Sequence, residues 1–527
     1  MVRSCMRTAT LAMWSGGLAM AVLATPLPTQ AAPLLLPMPD AAVAVVRCAD
    51  PSAAVAALLG ALGAVPVGMP DVVKVQIGVG IAMLRAFCDG DVAPFVARLA
   101  AGGVAIGWQL TAAGPEPTVV LRPGDAAAAR RWCGEHLPQW RLRGQGDCLV
   151  LTRSGAAGEP TATGRWANTE FGDVAAVQAV VDLEALRNAA GDQWPTWERL
   201  DGPQRILFAP LVAALGMGRR GQLALHLDAG LRIAAHFDAS LRAASTAGLL
   251  TDPAPHVELP LPDSSIARVR LDRSFTRLLR TPQQFLGPAQ AVVAQSFVSI
   301  ADAIDGASSS FVEDLLGGLA EPFVLHVLSA EPEASRDSAL LLPEFALVAP
   351  LATTNAGELV LRAARTLSTI ANVERQQRGR TQFWLRAMRT ETGHGLTAEP
   401  MPWRGPGAPP VELAMTPTVW IERGHVVVAT THSAALRVLQ ATAPESAPTS
   451  RTGDRLAVRG APLAAWIADN RGVLELGRML DEGEDRAAAS RFFDIVQAVV
   501  GAVQSVALSI DVDAAATRVE LRLERSR

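Results

Sequence analysis

Residues Ile266–Arg280 read IARVRLDRSFTRLLR, and this stretch decides the fold. Ala267, Val269 and Leu271 alternate with Arg268, Arg270 and Asp272, the period of two expected of a strand with one buried face. Asp272 stands where it would cap a following helix, in which Phe275, Leu278 and Leu279 fall at i, i+3 and i+4. A strand running straight into a helix is the opening unit of a module. Three more openers share the pattern. Val43–Leu59 carries a strand to Cys48, a cap at Asp50 and Pro51 at the first helical position. Val177–Leu186 alternates into Asp182. Leu456–Ile467 runs through Val458 and Gly460 to Pro462, Leu463, Trp466 and Ile467.

Strands, helices and hairpins fill the intervals. Val104–Leu110 and Thr118–Arg122 read as strands, Ala126–Leu137 as a helix capped by Asp125, and Trp140–Gly144 with Cys148–Thr152 as a hairpin. Asp228-Ala229-Gly230 joins Leu223–Leu227 to Leu231–Phe237, a strong hairpin signal. After the third opener come helices at Pro288–Ile304 and Phe311–Leu319, then strands Phe323–Leu328 and Glu344–Leu351. A long helix Gly357–Gln377 leads to strand Phe383–Arg389 and a Pro/Gly-rich excursion, Thr390–Pro417. Thr418–Glu422 and Val426–Thr430 follow, and Val506–Val512 with Val519–Leu523 closes the chain. Helices that leave and return to antiparallel pairs give an α+β fold of duplicated modules, each an antiparallel sheet covered on one face by helices. The expected halves are residues 32–250 and 265–527. Between them the four prolines of Thr251–Ser264 read as a linker.

Composition bounds the function. At 527 residues, with 50% apolar and 19% charged residues, the chain is globular and long enough for two to four cores of roughly 100–200 residues. A net charge of −4 is no nucleic-acid footprint. One lysine, Lys74, stands against 46 arginines, and tyrosine is absent, a bias that GC-rich coding explains.

Arg3 and Arg7 precede an apolar run, Thr8–Ala24, and Thr29-Gln30-Ala31 is a small-residue cleavage site. The expectation is export to the periplasm or cell surface with a cut after Ala31. No later apolar run approaches the ~20 residues of a membrane span. Cleavage also removes Cys5, leaving Cys48, Cys88, Cys133 and Cys148. In an oxidising compartment these admit one or two disulfides, in any of three pairings, or stand as buried thiols.

Sequence signatures of catalysis are missing. No Gly-Lys-Ser/Thr follows a glycine-rich loop, and Gly78-Val79-Gly80 lacks a third glycine. The histidines (His136, His226, His236, His256, His326, His394, His425 and His432) form no HxH or HExxH. His226 and His236 lie on facing strands and read as neighbours on a wet face. Asp481, Glu482, Glu484 and Asp485 lack calcium-loop spacing. No GxSxG is present, and Ser308-Ser309-Ser310 reads as a helix cap. Neither a cofactor nor a metal is expected. The densest basic stretch is Arg375, Arg378, Arg380, Arg386 and Arg389, interleaved with Phe383 and Trp384. It suits anionic envelope components, or else a helix end whose cations favour the dipole.

The signal segment, PLLLPMPDAAVAVVRCADPSAAVAALL and ERGHVVVATTHSAALRVL together resemble a family of large exported bacterial proteins of unknown function. That resemblance implies repeated strand–helix–helix–hairpin modules over most of the mature chain and brings no catalytic residues. Gly460, where the other openers place an acidic cap, departs from the pattern. The expectation is a non-enzymatic binding or envelope-associated scaffold protein. The alternatives are an exported hydrolase with a site assembled from scattered residues, and a carrier of lipid or another apolar ligand.

Overall fold

The computed structural model describes residues 42–54, 96, 98–111, 114–153, 177–191, 211, 214–227, 230–239, 261–305, 310–330, 341–353, 355–401, 415–441, 453–512 and 516–525. The export segment, Lys74, Cys88, the loop Gly155–Thr169, most of Val72–Leu99 and most of Thr251–Ser264 lie outside them. The described residues hold 18 strands, paired antiparallel wherever a partner is assigned, together with helices: a mixed α+β fold. Two compact units divide the chain, one of residues 1–195, 214–239 and 515–527, the other of 196–213 and 240–514. The last strand therefore belongs with the first unit, although it ends the second half of the sequence.

In the first unit the strands are β1 (Ala42–Cys48), β2 (Val104–Thr111), β3 (Gly114–Leu121), β4 (Trp140–Gln145), β5 (Cys148–Arg153), β6 (Val177–Asp182), β7 (Arg220–Leu227), β8 (Gly230–Phe237) and β18 (Thr517–Arg525). Their pairing gives the order β4-β5-β3-β2-β1-β6-β7-β8-β18. The opener β1 is thus central. Ala42, Val45, Ala105, Val120, Cys148, Val150 and Val180 form one core cluster on the sheet. Helix α1 (Ala126–His136) is capped as its sequence demands, Asp125 accepting from the backbone N–H of Ala127 and Ala128 at 3.0 Å each. Helix α2 (Leu183–Ala190) is capped by Asp182.

The second unit contains β9 (Ser265–Leu271), β10 (Phe323–Leu328), β11 (Glu344–Pro350), β12 (Phe383–Arg389), β13 (Gly393–Pro400), β14 (Thr418–Glu422), β15 (His425–Ala429), β16 (Gly453–Arg459) and β17 (Val503–Val512). Their order is β12-β13-β14-β15-β11-β10-β9-β16-β17. The helices are α3 (Phe275–Arg280), α4 (Pro282–Phe285), α5 (Pro288–Asp305), α6 (Ala356–Gln377), α7 (His432–Gln440), α8 (Gly460–Asp469), α9 (Arg471–Glu482) and α10 (Arg486–Gly501). Phe311–Leu316 forms a π-helical turn capped by Ser310.

Helices pack on both faces of this sheet rather than on one. Trp420, Val427, Ala429, Ala346 and Val348 meet Ala434, Ala435, Val438 and Leu439 of α7. Their strand neighbours Val419, Ile421, Val426 and Ala349 point the other way, toward Val360 of α6 and Leu315 of the π-helical turn. Strand β11 supplies both cores because Ala346 and Val348 alternate with Phe345, Leu347 and Ala349. On the α6 side the register lines up Val419, Val428, Leu347, Leu325, Val269, Leu456 and Leu508 in one row across seven strands. In mid-row Val428, Leu347 and Leu456 are 43%, 39% and 38% exposed.

Two local expectations are corrected. Asp272 does not cap α3; Ser274 does, accepting from the Arg277 N–H at 3.3 Å, and Asp272 is engaged in a buried charge cluster. The excursion Thr390–Pro417 contains β13, whose Gly-His-Gly-Leu-Thr start lacks the β-branched density of a strand. Gly395 is required there: a Cβ would meet the Trp420 ring and the Val419 carbonyl.

Candidate functional site

Arg375, Arg378 and Arg380 lie where α6 ends, Arg386 lies midway along β12, and Arg389 ends that strand opposite His394, which meets Glu358 in the first turn of α6. Helix α6 is 22 residues long, about 33 Å at ~1.5 Å per residue. Gly379 stops it at φ +64°, with its N–H donating to the Gln376 carbonyl at 3.0 Å and the Arg380 N–H to that of Arg375 at 2.8 Å. This pair of bonds is a Schellman closure, which favours glycine at the left-handed position. The chain then reverses into β12. Asn372 holds that start, its Nδ2 donating to the Phe383 carbonyl at 2.7 Å while its Oδ1 accepts the Phe383 N–H at 2.8 Å. Pro400, the register partner of Phe383, has no N–H to give.

The five arginines divide by role. Arg375 is used internally: its guanidinium lies 4.8 Å from the Phe383 ring centroid and donates to the Thr381 carbonyl. Arg378 pairs with Glu374 at 2.7 Å, and Arg386 with Glu399 across β12–β13 at 3.2 Å; both pairs are exposed. Such surface pairs contribute roughly 0–1 kcal/mol and leave the arginines available to another anion. Arg380 and Arg389 are exposed as well. Along the same helix and strand Leu367, Ile370 and Val373 of α6 and Trp384 and Leu385 of β12 stand in solvent, Trp384 at 57%. The corner therefore combines exposed guanidinium groups with exposed apolar side chains.

Sequence reasoning missed a cluster of buried charges in the same unit. At the end of β9, Arg270 reaches Asp272 at 3.3 Å. Arg273 makes a bidentate pair with Asp454 at the start of β16, its Nη1 at 2.9 Å from Oδ1 and its Nη2 against Oδ2. Asp272 also accepts the Gly453 N–H at 2.7 Å, and its own N–H donates to Asp454 at 3.3 Å. All four charged residues are buried. Burial raises the Asp454 pKa, and Arg273 opposes that rise. The cluster ties the third opener to the fourth. Its only signal in the sequence was an acid at each strand end facing an arginine-rich partner.

The remaining chemistry-bearing residues stand apart. Cys48, Cys133 and Cys148 are free thiols. Burial raises all three, Cys48 to about 11, so none is a ready nucleophile. His226 and His236 face Arg232 and Gln222 rather than each other, and both are buried instead of wet. His425 Nδ1 donates to the Arg423 carbonyl at 3.0 Å, while His432 stacks edgewise on Trp420 at 5.5 Å. Among the described residues no group of three His, Cys, Asp or Glu is placed to hold a metal ion, and no helix is long and apolar enough to cross a membrane. No family model, characterised protein or solved structure matches the chain.

Proposed function

We propose that this chain is an exported, non-enzymatic binding protein that attaches to anionic surfaces of the cell envelope through the α6–β12 corner. One observation carries the proposal: Leu367, Ile370, Val373, Trp384 and Leu385 are exposed along the same helix and strand as the exposed Arg378, Arg380 and Arg386. A purely solvated helix end would gain nothing from exposed apolar groups there. Aromatic and aliphatic groups among cations suit a boundary between acyl chains and anionic headgroups. Replacing Arg378, Arg380 and Arg386 with glutamine should move the exported protein from the envelope fraction to the soluble one. Arg375 is left intact because it holds the helix end. Unchanged fractionation would end the proposal.

We also infer that the two units descend from one duplicated block, as the family resemblance implies. The support is topological. Strands β4-β5-β3-β2-β1-β6-β7 and β14-β15-β11-β10-β9-β16-β17 follow the same order, each with an opener in its middle and another opener beside it. On this inference β12 and β13 are an insertion that brought the basic corner with it. Superposition of the seven strand pairs in a crystal structure tests it; a different strand order in either unit would refute it.

A further inference from the structure

Among the described residues β12 is bonded to β13 alone, which leaves its other side an open sheet edge. In an antiparallel ladder successive residues turn their backbone groups alternately toward and away from the neighbouring strand. The Met401 N–H donates to the Gln382 carbonyl at 3.0 Å, and the Thr390 N–H to that of Gly393 at 2.8 Å. Even-numbered residues of β12 therefore face β13, while Phe383, Leu385, Ala387 and Arg389 face away. Asn372 closes the edge at Phe383 by engaging both of its backbone groups. The N–H and C=O groups of Leu385, Ala387 and Arg389 have no partner among the described residues, and all three residues are exposed. No proline or bulge in FWLRAMR blunts this edge.

The open groups are centred on Ala387, and that symmetry selects the occupant. Let a second copy lie antiparallel with Ala387 facing Ala387. Leu385 then exchanges bonds with Arg389 of the copy, and Arg389 with Leu385, so every open group is satisfied. Arg386 falls opposite Met388, and no like charges are directly opposed. A register centred on Arg386 would set that residue against itself and bring Arg389 onto the closed Phe383. One centred on Met388 would leave Leu385 facing the hairpin tip. Charge favours the Ala387 register too. The tip carries the exposed Glu391, which comes opposite Phe383, whose ring centroid lies 4.8 Å from the Arg375 guanidinium. Opposite charges thus meet at each end of the pairing.

We propose that two copies of this chain pair edge to edge through β12, continuing the second unit's sheet across a twofold axis at Ala387. Only main-chain edges are consumed. The side chains of Trp384, Leu385 and Arg386 stay on the faces of the sheet, so the pairing goes beyond the lipid-binding reading and stands without it. Where both hold, two corners on one particle strengthen attachment by avidity.

Sedimentation equilibrium of the mature full-length protein in lipid-free buffer tests the proposal. A concentration-dependent dimer is expected, with amide exchange at Leu385, Ala387 and Arg389 slowed as it forms. Ala387→Pro removes an outward N–H and no β12–β13 bond, and proline is tolerated on a strand edge. It should fold and weaken pairing roughly tenfold or more. Ala387→Arg and Ala387→Glu each set like charges face to face across the axis and should weaken pairing as well. Mixing those two variants should restore it, which decides the matter if Ala387→Pro does not fold. A wild-type monomer at roughly 100 μM would leave the edge to a strand of some other protein and overturn the proposal. So would a dimer that Ala387→Pro leaves intact, or a mixture of the Ala387→Arg and Ala387→Glu variants that pairs no better than either alone.

Discussion

At the scale of single residues, His326 is the clearest case of a group whose ionisation the fold forbids. It is 0% exposed in the middle of β10, and neither ring nitrogen has a hydrogen-bond partner among the described residues. Burial, and after it the nearby Arg268 charge, lower its pKa from 6.5 to about 4. The unfolded chain therefore binds the proton that the folded chain refuses. Stability from this residue is complete above pH ~6.5, declines as the pH falls, and is lost by pH ~4. At pH 5 the loss is about 2 kcal/mol. Urea unfolding at pH 7 and pH 5 should show that difference, and His326→Leu should flatten it. An equal pH dependence in both proteins would mean His326 is not buried neutral. Nothing in the local sequence announced this residue, since Val324, His326 and Leu328 differ from an ordinary strand only in the imidazole. The Arg273–Asp454 pair was hidden for another reason: its partners are distant in sequence, and the acid–arginine neighbours in LDRS favoured a local cap.

At the scale of elements, periodicity and turn chemistry were the legible part. The alternation in β9, β10 and β18 and the caps at Asp125, Asp182 and Ser310 stand where the sequence places them. Strand β13 was not legible, because its glycines serve the close approach of Trp420 rather than any intrinsic preference. Gly460 is the instructive departure. As an opener it lacks an acidic cap, and the reason lies in packing. A Cβ at this first residue of α8 would collide with the backbone carbonyl oxygens of Val500 and Val503, where α10 passes into β17. Backbone cannot yield as a flexible side chain does, so Gly460→Ala should cost about 2 kcal/mol. Thermal or denaturant unfolding measures it. A neutral substitution would show that α10 and β17 are free to shift.

Across the whole molecule, an α+β class with antiparallel sheets was readable from the openers, while the strand order was not. Order depends on which edges meet. β1 accepts β2 on one side and β6 on the other, and β9 accepts β10 and β16. The β1–β6 and β9–β16 pairings join openers at least 129 residues apart, which no local pattern encodes. The place of β18 beside β8 is equally non-local. The candidate corner was half legible. Its arginines were evident, but the exposure of Leu367, Ile370, Val373 and Trp384 follows from where α6 outruns the core under its first turns. Binding at that corner is the central claim, and vesicle flotation of the purified mature protein tests it most directly. Each arginine near an anionic bilayer contributes about 1 kcal/mol. The account predicts flotation with vesicles containing phosphatidylglycerol, little with pure phosphatidylcholine, and about 100-fold weaker binding after Arg378, Arg380 and Arg386 are changed to glutamine. Equal flotation with both vesicle types, or affinity untouched by the three substitutions, would contradict it.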